Sequence, residues 1–341
     1  MTKRKKKLKK IFKYPLIILV IIILSYITIT IYKKYENKNV NTNIPVLDNK
    51  DSKDEIKTKL SSLNYSNEDI TFIKKELNEN NVKYLIENKI DNKLAIDIIN
   101  ETYYIDEYPE KYIKYFNENP NLSSKEIITR INAHLDEKFY TNTEKTDDSL
   151  GKFVILNKHY YSDGNYKGKD LIKVDSKYNL YGYEFELSKE CYEAFLKMYN
   201  DAKEKGYAFK INSAYRSYEK QINIYQGWVN KDGQELADTY SARAGYSEHQ
   251  TGYAFDVRDF PFTNDDYSKT KSFTWVSENA HKYGFIIRFP KNKEYITGYQ
   301  YEPWHYRYVG IEAAKYIHDN DITFEEYYEY FIRFNNPRNL S

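Results

Sequence analysis

Ser247-Glu248-His249-Gln250-Thr251-Gly252-Tyr253-Ala254-Phe255-Asp256, with Glu302-Pro303-Trp304-His305-Tyr306-Arg307-Tyr308 downstream, is the pair of stretches from which the fold can be read. Gly252 permits a tight turn after His249, because a residue without a Cβ tolerates backbone angles closed to others. Beyond the turn, Ala254 and Asp256 fall on one face of a strand by its two-residue period. Pro303 disfavours helix at the residue before it, so Glu302 and His305 are expected on an extended or turn segment. The flanking sequence mixes both periods. Phe153–Asn157 reads as a short buried strand, Tyr207–Ser213 as a second, and the run around Phe285–Phe289 as a third. Ser188 suits a helix cap, with Cys191, Phe195, Met198 and Ala202 on one face and Gly206 past the end. A further helix is expected from Trp275 to Tyr283, closed by Gly284. These elements predict an α+β domain over residues 151–318, a small antiparallel sheet with flanking helices.

Six histidines occur in the chain. His134, His159 and His318 are expected to be surface or satisfied core residues, and His281 suits a helix C-terminus. His249 and His305 differ in their company. The string Ser247-x-His249-x-x-Gly252-x-Ala254-x-Asp256, the later Glu302-x-x-His305 and the upstream Ser213-Ala214-Tyr215-Arg216-Ser217 together resemble the VanY-type D-alanyl-D-alanine carboxypeptidases. Those enzymes belong to the zinc-peptidase superfamily that includes lysostaphin-like enzymes and the Hedgehog signalling domain. The resemblance implies that His249, Asp256 and His305 hold Zn2+, that Glu302 is the catalytic base and that Arg216 faces the scissile carbonyl. It further implies that Ser247, and more weakly Gln221, contact substrate. The implied substrate is a peptidoglycan stem peptide ending in D-Ala-D-Ala.

The chemistry fits that transfer. Zinc accepts two imidazoles and one carboxylate, and three protein ligands leave a position open for water. A carboxylate three residues from a ligand can sit beside the metal without binding it and handle a proton. A fixed guanidinium can stabilise an oxyanion or hold a carboxylate. Glu248 and Asp259 flank the motif without being assigned as ligands, and Trp304 with its neighbouring tyrosines is expected to form the site wall. The alternatives are a D,D-dipeptidase, a peptidoglycan endopeptidase, or a zinc-fold binding domain without catalysis. Intact Glu302 and Arg216 argue against the last, since a pure binder needs no base beside its metal.

The rest of the chain bears on where such a domain would work. Residues 1–13 carry eight basic side chains and no acid, and residues 14–32 carry no charge. Nineteen helical residues span roughly 28 Å, close to the hydrocarbon thickness of a bilayer. The basic block is expected to stay in the cytoplasm, with an uncleaved single-pass anchor and everything beyond Lys33 outside the cell membrane. No Ala-x-Ala cleavage pattern follows the apolar run. Residues 33–55 are polar and aperiodic and read as a linker. Residues 56–140 read as a small helical region, with Ser66-x-x-Asp69 and Ser123-x-x-Glu126 as capping boxes. Residues 319–341 read as a C-terminal helical tail. Residues 35–341 carry 42 basic and 50 acidic side chains, which is unsuited to nucleic-acid binding. The single cysteine, Cys191, excludes an intrachain disulfide or a thiolate cluster.

Overall fold

A computed structural model of the chain describes residues 51–262 and 266–334. The expected basic segment, the apolar segment 14–32 and most of the linker lie outside these residues. Among the described residues no helix is long and apolar enough to cross a membrane. The first described helix, α1 (Asp51–Ser62), begins within the stretch expected to be linker. Five more follow: α2 (Asn67–Glu76), α3 (Glu79–Glu87), α4 (Asn92–Ile99), α5 (Pro109–Glu118) and α6 (Ser124–Asn132). Ser66 and Ser123 each accept from the backbone N–H three residues on, and Asp69 and Glu126 return the bond, so both capping boxes form. The periodicity of α6 buries Ile127, Ile128 and Ile131.

Two short pairs precede the main sheet: β1 (Glu144–Lys145) with β2 (Tyr160–Tyr161), parallel, and β3 (Leu171–Lys173) with β4 (Glu186–Ser188), antiparallel. Ser188 caps α7 (Lys189–Glu204) by accepting from the Cys191 N–H. Then come β5 (Phe209–Ser213), α8 (Tyr218–Asp232), α9 (Gln234–Ala237) and β6 (Ala254–Asp259). The expected helix before Gly284 starts four residues earlier, as α10 (Lys271–Asn279), and ends in a 3-10 turn at Ala280–Tyr283. It leads into β7 (Phe285–Ile287), α11 (Glu294–Thr297), β8 (His305–Tyr308), α12 (Ile311–Asp319) and α13 (Phe324–Tyr327).

Strands β5, β6, β8 and β7 lie in that order in one antiparallel sheet. Its register sets Ser213 opposite Asp256 and Asp256 opposite His305. Phe209, Phe255, Val257, Phe285 and Tyr306 of the sheet pack with Phe195 and Met198 of α7 and Trp275 of α10 into one buried cluster. Each such large side chain contributes about 1.5–3 kcal/mol through its buried area. This core fixes the sheet from which the site residues project.

One expectation is corrected. Phe153–Asn157 is not a strand; Gly151–Phe153 is a 3-10 turn and the following residues are irregular though buried. The carbonyls of Lys152 and Val154 accept instead from the Arg307 guanidinium at 2.8 and 2.7 Å, so an arginine satisfies what a neighbouring strand would have. The described part of the C-terminal segment is helical and packs against the rest of the domain. From Ser61 the chain forms one compact unit, and α13 continues into a π-helical turn, Tyr328–Arg333, whose Glu329 is buried. Glu329 meets His134 Nε2 at 2.9 Å, accepts from Tyr108 Oη at 3.3 Å and from Tyr160 Oη, and pairs with Arg333. One carboxylate thus ties the helical region, β2 and the C-terminal turn together. Glu329→Ala removes the buried acceptor shared by His134, Tyr108 and Tyr160, while Arg333 keeps its pair with Glu144 at 2.9 Å, and denaturant unfolding is expected to show a loss of about 1–3 kcal/mol.

Candidate metal centre and active site

His249 sits on the 3-10 turn Glu248–Thr251, which ends at Gly252 with φ of 74°. A Cβ there would lie 2.4 Å from Leu171 Cδ2, so the turn excludes a side chain on both counts. The His249 ring donates through Nδ1 to the Ala214 carbonyl at 2.7 Å, which leaves the Nε2 lone pair facing Asp256 Oδ2 at 3.5 Å. From the neighbouring strand, His305 Nδ1 faces Asp256 Oδ1 at 3.0 Å. Ligand atoms of His249, Asp256 and His305 all lie within 4.8 Å of one another, and all three residues are buried. Glu302 precedes β8 on a turn, as Pro303 requires, with Oε2 3.8 Å from His305 Nδ1.

The electrostatics of this cluster describe a place for a cation. Burial works against the Asp256 carboxylate, yet His249 and His305 hold it well below the ordinary range. Burial also disfavours a charged His305, but Asp256, Glu248 and Glu302 outweigh it and push the ring up to about 9. Burial pushes Glu302 up to about 7, against the pull of His305. Three carboxylates thus bear on one imidazole in a dehydrated setting, and a dication held by the two rings and Asp256 relieves that excess. Two imidazoles and one carboxylate are a donor set suited to zinc.

The cluster opens into a cleft of about 510 Å³ lined by Arg216, Ser247, Trp228, Tyr240, Glu302 and Trp304 among others. Arg216 is fixed there by donating to Gln221 Oε1 at 2.7 Å and Ser213 Oγ at 3.2 Å. Gln221 is itself pinned, donating to the Ala242 carbonyl at 2.6 Å, so it holds Arg216. Ser247 is buried in the cleft wall and makes no capping hydrogen bond. All seven residues singled out from sequence are therefore brought to one place.

Several further groups were not legible in the motifs. Glu248 is buried against Arg288 Nε at 2.7 Å and Arg307 Nη1 at 2.8 Å. Burial raises its pKa, but the two guanidiniums overcome that and hold it below the ordinary carboxylate range. The available signal was an arginine interrupting an apolar strand pattern, in Ile286-Ile287-Arg288-Phe289 and in Tyr306-Arg307-Tyr308, since arginine is seldom fully buried unless paired. Trp228 and Tyr240, which meet edge to face at 5.4 Å, gave no such signal.

Such a donor set, with a carboxylate beside it and a cleft in front, places the protein among the zinc metallopeptidases. A family model described as "VanY: D-alanyl-D-alanine carboxypeptidase" matches residues 184–311. The chain is 41% identical over 229 residues to YodJ of Bacillus subtilis (strain 168), which carries a carboxypeptidase name, covering 62% of this chain and 82% of that one. It is 33% identical over 244 residues to a D-alanyl-D-alanine carboxypeptidase of Enterococcus faecium, covering 70% and 75%. Among solved structures it is similar to the LdcB LD-carboxypeptidase, at 41% identity and a TM-score of 0.52, over 57% of this chain and 92% of that one. The chain belongs to the VanY family of D-alanyl-D-alanine carboxypeptidases. It is a zinc metallopeptidase of the carboxypeptidase class.

Proposed function

We propose that this protein is a membrane-anchored D,D-carboxypeptidase that removes the terminal D-Ala from peptidoglycan stem peptides outside the cell membrane. The observation that carries the chemistry is the placement of Glu302 beside the His249–Asp256–His305 cluster, in a cleft with one fixed guanidinium. Zinc, when held there, supplies Lewis-acid polarisation and an activated water. Glu302, raised towards neutrality by burial, is suited to take a proton from the attacking water and return it to the leaving amine. Arg216 presents a positive, pre-oriented fork to the oxyanion or to the substrate carboxylate. Anchoring rests on the charge-free run 14–32 behind a basic block, which orients the catalytic part outward.

Likeness to an LD-carboxypeptidase favours a second reading, in which the bond cut joins an L-centre to the terminal D-Ala. Mass spectrometry of purified stem peptides incubated with the full chain in detergent separates the readings. Loss of one D-Ala from the pentapeptide supports the D,D-cut. Shortening of the tetrapeptide alone supports the L,D-cut, and release of a dipeptide or an internal cut supports the dipeptidase or endopeptidase. Arg216→Lys keeps the charge but cannot donate to Gln221 and Ser213 while keeping a planar fork towards substrate. A charge-assisted contact of about 1.5–3 kcal/mol makes the expected fall in kcat/KM roughly ten- to hundredfold. A fall in kcat assigns Arg216 to the oxyanion; a rise in KM at constant kcat assigns it to substrate holding.

A further inference from the structure

Two buried polar atoms face each other in this site without a hydrogen-bond partner: Glu248 Oε2 and His305 Nε2, 3.8 Å apart. That separation is too long for a hydrogen bond, yet less than about 1 Å of movement closes it. The arrangement behind Glu248 explains its aim. Its other oxygen, Oε1, is occupied by Arg288 and Arg307, whose side chains are fully buried. Arg288 in turn donates twice to Glu325 of α13, at 2.9 and 2.6 Å. Asn157 Nδ2 donates to the same carboxylate at 3.2 Å. Arg307 is held by the Lys152 and Val154 carbonyls. Two guanidiniums thus clamp one carboxylate oxygen and leave the other aimed at the imidazole, whose opposite nitrogen faces Asp256.

A neutral imidazole has one N–H and one lone pair, and the partner of one nitrogen decides the role of the other. We propose that Glu248 is the positioning residue of the metal centre, accepting the Nε2 proton of His305 and so fixing the tautomer whose Nδ1 lone pair faces the metal. This rests on the zinc reading of the site. It also gives the C-terminal segment a task, because Glu325 lies beyond residues 184–311, the span matched by the family model. Through Arg288, α13 steadies the carboxylate that orients a ligand.

Glu248→Gln tests the idea sharply. The arginines select the amide oxygen, so the NH2 group turns to His305 Nε2 and requires a lone pair there. The ring proton then moves to Nδ1, where it competes with the metal. Zinc affinity of the full chain, measured by competition with a chromophoric chelator, is expected to fall about 10–100-fold, the usual effect of an outer-shell partner. The melting temperature of the metal-free protein serves as the control for folding. In wild type loaded with zinc and labelled with 15N-histidine, NMR is expected to show His305 protonated on Nε2 and metallated on Nδ1. Unchanged affinity in Glu248→Gln, or a wild-type His305 metallated on Nε2, overturns the proposal while leaving the zinc site in place. Wild type that binds no zinc overturns the metal reading itself, and this proposal with it.

Discussion

Glu302→Gln is expected to leave zinc binding intact and to lower kcat by about 10²–10⁴, the usual worth of a positioned general base. The substitution keeps size and hydrogen-bonding capacity and removes the ability to take a proton. Glu302 is not among the three residues whose ligand atoms cluster within 4.8 Å, so zinc stoichiometry should stay at wild type. Its burial supports the choice of test, since a carboxyl pushed up to about 7 can exchange a proton near neutral pH. Glutamine also removes a negative charge from beside the site but no ligand, so any weakening of zinc binding should be small beside that of the histidine variants. The measurement pairs metal analysis with single-turnover cleavage of the stem peptide. Wild-type turnover in Glu302→Gln would remove the base from the mechanism.

His249→Ala and His305→Ala are expected to abolish zinc binding at ordinary micromolar concentrations, with activity falling to background. Each deletes one of three donors from a buried cluster, and a two-donor remnant cannot hold the tetrahedral geometry that zinc takes. The loss should exceed the 10–100-fold expected for an outer-shell partner. Asp256→Asn should also weaken binding, because it removes the carboxylate that faces both rings, at 3.5 Å from His249 and 3.0 Å from His305. Inductively coupled plasma analysis of the dialysed variants checks all three. Undiminished zinc in both alanine variants would show that the metal lies elsewhere.

The sequence by itself determined those features that depend on neighbours along the chain. Ser66-x-x-Asp69 and Ser123-x-x-Glu126 form the capping boxes their spacing requires, because a cap is a bond between residues three apart. Gly252 ends the turn after His249, Ser188 starts α7 and Pro303 keeps Glu302 out of helix, each through local backbone sterics. The motif strings named the seven site residues, since their order and spacing resemble a family whose chemistry demands those donors. What tertiary structure alone decided is the pairing of groups far apart in the chain. The register of β6 against β8 puts Asp256 opposite His305, and nothing in either strand states that alignment. Phe153–Asn157 has the composition of a strand, but its Val154 carbonyl accepts from the arginine of a distant strand. Residues 319–341 read from sequence only as a helical tail, yet Glu325 is the counter-charge of Arg288 and Glu329 the hydrogen-bond partner of His134. Apolar periodicity reports which face of an element is buried. It is silent on which charge meets which inside the core, because a buried ion pair is set by three-dimensional proximity and desolvation rather than by spacing along the chain.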